Sequence, residues 1–280
     1  MPHTLPSLQI EASKLYNMSL SDTLAIVQKL YEGGVVTYPR SDCPYLPESK
    51  YLDASETLKG IVGILSDLEL AVKNADTQKR HSAFNDGKVA EHFAVIPTGK
   101  IGKLNDEQKV IYRLVALRYI ALFWPEYEYN EAVIEVNLGE EKFTARGKVE
   151  LKKGWKELFS EEKTADEDGT ANNPLPDVRG GTRVENQGIS ITEGKTTPPD
   201  CFTEATLLAA MSNIHKYVRD EQIRKILKEN EGIGTAATQA EIISKTYARG
   251  YAEKKENKLS QLIKAGSWHI SCRSCLPSRI

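Results

Sequence analysis

No stretch of this chain is long and apolar enough to cross a membrane as a helix, and no secretory leader opens it. The expected location is therefore the cytoplasm, with no membrane partner. Cysteine is scarce. Cys43, Cys201, Cys272 and Cys275 follow no framework spacing, so in a reducing compartment they are expected as free thiols. The pair Cys272 and Cys275 has no second pair and only His269 beside it, too little for a zinc site. Neither sign of charge dominates: 37 Lys and Arg stand against 39 Asp and Glu. The overall basic balance of many nucleic-acid binders is thus missing, and any basic groove has to be local. Residues 200–280 lean that way, with 13 basic against 9 acidic side chains. There is no internal repeat. Asp166-Glu167-Asp168 imitates a Mg²⁺ carboxylate pair, but it sits in a polar stretch with no apolar strand to fix it. No metal ligands are assigned in this chain.

What is there is enough apolar residue, 40%, to build sizeable cores, and length for about two domains. Leu5 to Asn17 reads as a short amphipathic helix, with Leu8, Ala12 and Leu15 on one face. Ser19 or Ser21 caps a second, Thr23 to Tyr31, striped by Leu24, Val27, Leu30 and Tyr31. Gly33-Gly34 closes it, and the β-branched Val35 and Val36 lead outward. Helix, break, helix and β-like segment make a winged-helix-type pattern. Residues 51–76 and 106–123 read as further helices, the first weakened by Gly60 and Gly63. The period then changes to two. Tyr129 to Val136, Lys142 to Leu151 and Val184 to Ile191 are expected strands. The polar stretch from Ser160 to Gly181 is a loop or disordered insert. After Pro198-Pro199 helices return: Thr203 to Ile214, Asp220 to Asn230 and Ala236 to Arg249.

Three stretches carry chemistry. Thr37-Tyr38-Pro39-Arg40-Ser41-Asp42 puts a phenol, a guanidinium and a carboxylate within five residues. A tyrosine can form a covalent intermediate, and an arginine fork can grip a phosphate and the charge developing on it. Asp42 can orient the arginine. On its own the hexapeptide also reads as a strand-end tyrosine on a proline beside a surface ion pair. Glu91-His92-Phe93-Ala94-Val95-Ile96-Pro97-Thr98 holds His92, which can face a phosphate as neutral donor or cation, or simply pack. In Glu231-Gly232-Ile233-Gly234-Thr235-Ala236-Ala237-Thr238-Gln239-Ala240, glycines precede a helix start whose free N–H groups suit an anion. Thr235 and Thr238 add hydroxyls. The plain alternative is a glycine-capped helix junction.

The run from Leu30 to Asp42 resembles the nucleophile segment of type IA DNA topoisomerases, especially the topoisomerase III branch. Three other stretches resemble that family in the same order. Ala83-Phe84-Asn85-Asp86 with residues 91–98 is similar to its histidine signature. Thr197 to Leu207 is similar to the entry into its last core segment. Residues 231–240 are similar to a motif that grips the DNA backbone. A Leu-Gln pair like Leu8-Gln9 opens the same helical domain. The resemblance covers residues 5–260. It implies Tyr38 as the attacking nucleophile, Arg40 and His92 as contacts to the scissile phosphate, and Asp42, Gly232, Gly234, Thr235 and Thr238 at the DNA. Phe93 departs from a family position that often holds a second polar residue. Ala236 and Gln239 stand where Pro or Glu, and Arg, are common, which removes one phosphate contact.

The implied fold class is mixed, mainly α. It comprises a helical, winged-helix-like nucleophile domain at 5–126, a β-rich gate segment at 127–197 and a helical DNA-backbone domain at 198–260. The implied activity is ATP-independent cleavage, strand passage and religation of single-stranded DNA through a 5′-phosphotyrosyl link. The family's Toprim domain, which carries the Mg²⁺ ligands, an activating Glu and a Lys, has no counterpart in these 280 residues. Mg²⁺ is therefore expected to be held elsewhere, with a separate Toprim-containing chain as a candidate partner. A free tyrosine phenol titrates at about 10 and is a poor nucleophile unassisted, so the chain alone is expected to be inactive. The alternative from another class is a non-catalytic single-stranded DNA-binding module, or an inert gene remnant. Residues 261–280 are expected to be a frameshifted, non-native tail: suitable codons read one base earlier spell Pro-Thr-Asp-Lys-Gly-Arg-Glu-Leu, which is similar to the family's continuation.

Overall fold

The computed structural model describes residues 1–89, 91–159, 174–229, 232–255 and 258–261. Helix α1 spans Leu5–Tyr16. Thr4 and Ser7 cap it reciprocally, Pro6 lies in its first turn, and Asn17 closes it in the left-handed region at φ 55°. Helix α2 spans Leu20–Glu32, and Ser19 accepts from the Asp22 N–H at its start. The expected long helix over 51–76 is instead four short pieces. These are α3 (Ser49–Leu52), α4 (Ala54–Ile64), a 3₁₀ turn at Ser66–Leu68 and α5 (Glu69–Lys73). Leu65 breaks the run with ψ 85°. Helix α6 spans Asp106–Ile120 behind an Asn105/Gln108 capping box, and a 3₁₀ turn carries it to Phe123.

The chain divides into two compact units: residues 1–123 with 198–280, and residues 124–197. In the first, α6 forms the centre. Ile111, Leu114, Val115 and Ile120 are buried, together with the rings of Tyr112 and Tyr119. Helices α1 and α2 pack on it. The later helices return to the same unit. These are α7 (Glu204–Ser212), capped by Thr203, α8 (Glu221–Glu229) and α9 (Ala236–Ala248). Leu20, Leu208, Met211, Ala240 and Ile243 form a buried cluster that ties α7 and α9 to the start of α2. Two polar side chains reinforce that joint. Gln9 donates to the Leu20 carbonyl at 2.8 Å, and Glu204 accepts from the Leu20 N–H at 3.3 Å. Strands β3 (Ala252–Lys255) and β4 (Lys258–Gln261) follow α9 as a small antiparallel pair. Gln261 thus closes β4, and the rest of the expected tail lies outside the described residues. So do Asp166, Asp168, Cys272 and Cys275.

The second unit is built on one long hairpin, β1 (Glu128–Leu138) against β2 (Glu141–Lys152). Ile134 and Val136, on the expected parity, are half-covered along with Leu138, whereas Ala132 on that parity is exposed. The expected third strand, Val184 to Ile191, does not form. That stretch is irregular, and Val184, Ile189 and Ile191 lie exposed. Alternation marks a strand only where a sheet edge and a covering layer exist to receive it, and no described residue pairs with this stretch. Nor does Val35-Val36 extend into a strand. Val36 makes one antiparallel bridge, to Pro97.

Candidate active site

That single bridge begins a set of backbone bonds that holds three distant segments together. Thr98 N–H donates to the Val35 carbonyl at 3.1 Å, and Thr37 N–H to the Ile96 carbonyl at 2.9 Å. The Thr37 hydroxyl fills the next rung from both sides. It donates to the Ala94 carbonyl at 3.0 Å and accepts from the Ile96 N–H at 2.9 Å. The start of the chain is the third segment. Val95 N–H donates to the His3 carbonyl, and Leu5 N–H to the Ser41 carbonyl, each at 2.8 Å. Pro39 and Ser41 are buried, whereas Arg40 and Asp42 between and beyond them are exposed. Through the bend at Pro39 and Arg40, one set of side chains is anchored and the other presented.

Tyr38 is half-buried, and its ring meets that of His92 at 4.4 Å between centroids and 39° between planes. Tyr31, from the last turn of α2, meets the Tyr38 ring edge-on at 5.6 Å. Residues 54 apart in sequence are thereby brought together at the phenol. Arg40 makes no salt bridge among the described residues. It lies within electrostatic reach of α9. There Lys245, bridged at 2.7 Å, holds the Glu241 carboxyl below its usual range, with a smaller contribution from Arg40.

Asp42 reaches the glycine-threonine motif. It lines a cavity of about 310 Å³ with Thr4, Ser212, Gly234, Thr235 and Gln239, at the N-terminus of α9. The motif's shape has a local cause. Gly232 and Gly234 adopt φ 92° and 75°, and a Cβ on Gly232 would lie 2.3 Å from the Met211 carbonyl oxygen. Thr238 Oγ1 accepts from the Thr235 N–H at 2.9 Å, and the two hydroxyls lie 3.2 Å apart, so both serve the cap. Gln239 is buried, its amide within 3.4 Å of Ser212 Oγ and 3.3 Å of the Ile233 carbonyl. It offers no charge where the resemblance suggested a cation. Neither Gly232 nor Thr238 lines the cavity. The described residues bring no three His, Cys, Asp or Glu side chains together as metal ligands. Sequence reasoning passed over Tyr31 and Thr37. A β-branched hydroxyl next to the tyrosine was the only local hint of the clamp.

The family model described as DNA topoisomerase matches residues 1–266. The chain belongs to that family. It is 37% identical over 270 residues to a DNA topoisomerase 3 of Vibrio cholerae, covering 95% of this chain and 41% of that protein. Against a DNA topoisomerase 3 of Pasteurella multocida it is 38% identical over 258 residues, covering 91% and 39%. The chain therefore spans about two-fifths of the length of these relatives. Among solved structures it resembles full-length topoisomerase I from Thermotoga maritima. The TM-score is 0.56 at 20% identity, over 94% of this chain and 40% of that one. The fold is thus topoisomerase I-like, and the likeness to the topoisomerase III branch read from Leu30 to Asp42 stands. Among the described residues no helix is long and apolar enough to cross a membrane.

Proposed function

We propose that this chain carries the nucleophile half of a type IA topoisomerase cleavage site and acts on single-stranded DNA. Tyr38 Oη attacks a backbone phosphorus. The new bond joins the phenol oxygen to the 5′ phosphate, the bond to the 3′ oxygen breaks, and the proton lost by the phenol ends on that 3′ hydroxyl. Religation runs the same exchange backwards. One phosphoester replaces another, so no ATP is consumed. Arg40 holds the phosphate and the charge that builds on it. His92 orders the phenol by ring contact and donates to a phosphate oxygen. Asp42, Gly232, Gly234, Thr235 and Thr238 steer the neighbouring backbone to the start of α9, whose first N–H groups favour an anion. The single observation that carries the reading is the Tyr38–His92 ring contact at 4.4 Å, beside an Arg40 that forms no salt bridge among the described residues.

The Mg²⁺ implied by the resemblance finds no ligand set among the described residues, and no step is drawn through it. Activation of the phenol is assigned to a Toprim-type domain. The expected cellular compartment is the cytoplasm. Salt-dependent binding tests the reading. Fluorescence anisotropy on a labelled oligothymidylate should show affinity falling as salt rises. Arg40→Ala should lower the slope of log affinity against log salt by about 0.7, the value for one single-strand phosphate contact. Tyr38→Phe should bind as the wild type does. Equal affinity at low and high salt defeats the proposal.

A further inference from the structure

The surface beyond Tyr38 and His92 contains a second phenol beside a second cation that makes no salt bridge among the described residues. Lys88 Nζ lies 3.3 Å from Tyr45 Oη and 4.8 Å from the centroid of the Tyr45 ring. Lys88 is exposed and meets no carboxylate among the described residues. The acidic residue of its own 3₁₀ turn, Asp86, is instead engaged by the Glu48 N–H at 2.9 Å. A phenol hydrogen bond carries no opposite charge, so among the described residues no carboxylate pairs with this ammonium.

Both residues are held in place by backbone. Leu46 bridges Phe84 in parallel, with Leu46 N–H to the Ala83 carbonyl at 2.9 Å and Asn85 N–H to the Leu46 carbonyl at 2.8 Å. Cys43 Sγ lies 3.4 Å from the Lys88 carbonyl, three residues after Arg40. Ala94 N–H donates to the Tyr45 carbonyl at 3.0 Å, two residues after His92. Two extended residues span at most about 7 Å.

We infer that Tyr45 and Lys88 form a flanking nucleotide subsite, in which the phenol ring stacks a base and the ammonium holds its phosphate. The inference rests on the single-stranded DNA reading above and extends it along the strand. Aromatic stacking accepts any base, because every base has a π face, and a lysine reads charge without sequence. The pair therefore adds hold without adding sequence preference. It also fixes which way the strand runs from the scissile phosphate: past His92 and over the 43–46 segment.

The test uses the full chain and a labelled twelve-residue oligothymidylate, with anisotropy read across a salt series. Tyr45→Ala should weaken binding about five- to tenfold, the lower part of the range for one lost stacked base. Tyr45→Phe should stay within about twofold of wild type, since the ring remains. Lys88→Ala should reduce the salt slope by about 0.7, and Lys88→Arg should restore it. Thermal melts identify any loss of fold in Tyr45→Ala. Lys88→Ala, on the exposed surface, then carries the test alone. Wild-type affinity and slope in Lys88→Ala and wild-type affinity in Tyr45→Ala, beside a weakened Arg40→Ala, overturn the subsite and leave the earlier reading standing. Absence of salt-dependent binding by the wild type overturns both.

Discussion

Gly60→Ala is a severe test of how the site is supported. Gly60 sits inside α4, where helix propensity alone favours alanine by about 1 kcal/mol. Packing argues the other way. An added Cβ would lie 2.1 Å from the Gly99 carbonyl oxygen and 2.5 Å from its carbon. Both are backbone atoms, so no side chain can swing aside, and the turn at Gly99 has to move away from α4. Overpacking of this kind costs about 1–3 kcal/mol, and with rigid backbone opposite, the upper end applies. Subtracting the propensity gain leaves a loss of about 2 kcal/mol, or roughly 4–8 °C in the unfolding midpoint of a domain of this size. Gly63→Ala is the internal control. Its Cβ would meet only the exposed Ile101 side chain, 2.6 Å from Cδ1 and 2.9 Å from Cγ1, and that side chain can turn into solvent. Its midpoint should stay near wild type. The turn at Gly99 continues the segment whose Ala94 and Ile96 clamp Thr37, so Gly60→Ala should also weaken oligonucleotide binding. Circular dichroism melts read the first effect and anisotropy the second. A Gly60→Ala midpoint at or above wild type would refute the close approach of α4 to this turn.

Leu208→Ala should destabilise by about 2–5 kcal/mol, because it empties the buried cluster joining α7, α9 and the start of α2; denaturant melts measure it. Burial, with Arg118 and the N-terminal ammonium nearby, holds the His3 imidazole well below its usual 6.5. The nearby Glu11 does not reverse this, since its carboxylate is bound by Arg118 at 2.6 Å. Below pH of about 6.5 the unfolded chain therefore binds a proton that the folded chain does not, and stability should fall by about 1.4 kcal/mol per pH unit as pH drops. His3→Gln should flatten that slope in denaturant melts between pH 6.5 and 5, and an unchanged slope would contradict the assignment.

Much of the helical order could be read from the sequence because its causes are local. Thr4, Ser19 and Thr203 cap the helices they precede, and such bonds span only three residues. The 51–76 run misled because its apolar spacing continues through Leu65, where the backbone turns. Gly60 and Gly63 were the available hint, since their missing side chains admit the 99–101 segment. Val184 to Ile191 misled because alternation says nothing about whether a partner strand exists. At the site, Tyr38, Arg40 and His92 were candidates by their own chemistry, and resemblance to a family joined them into one site. Tyr31 beside Tyr38, Thr37 between the Ala94 carbonyl and the Ile96 N–H, and Tyr45 with Lys88 stayed hidden. Each depends on which distant segments lie side by side, and Thr37 and Ala94 are 57 residues apart.

The central claim is that Tyr38 supplies the attacking oxygen. The direct measurement is capture of a covalent adduct on labelled single-stranded DNA after denaturation, with a Toprim domain from a DNA topoisomerase 3 relative added to the chain. The account predicts an adduct that appears only with the supplement, disappears in Tyr38→Phe and falls sharply in Arg40→Ala. An adduct that persists in Tyr38→Phe would contradict it.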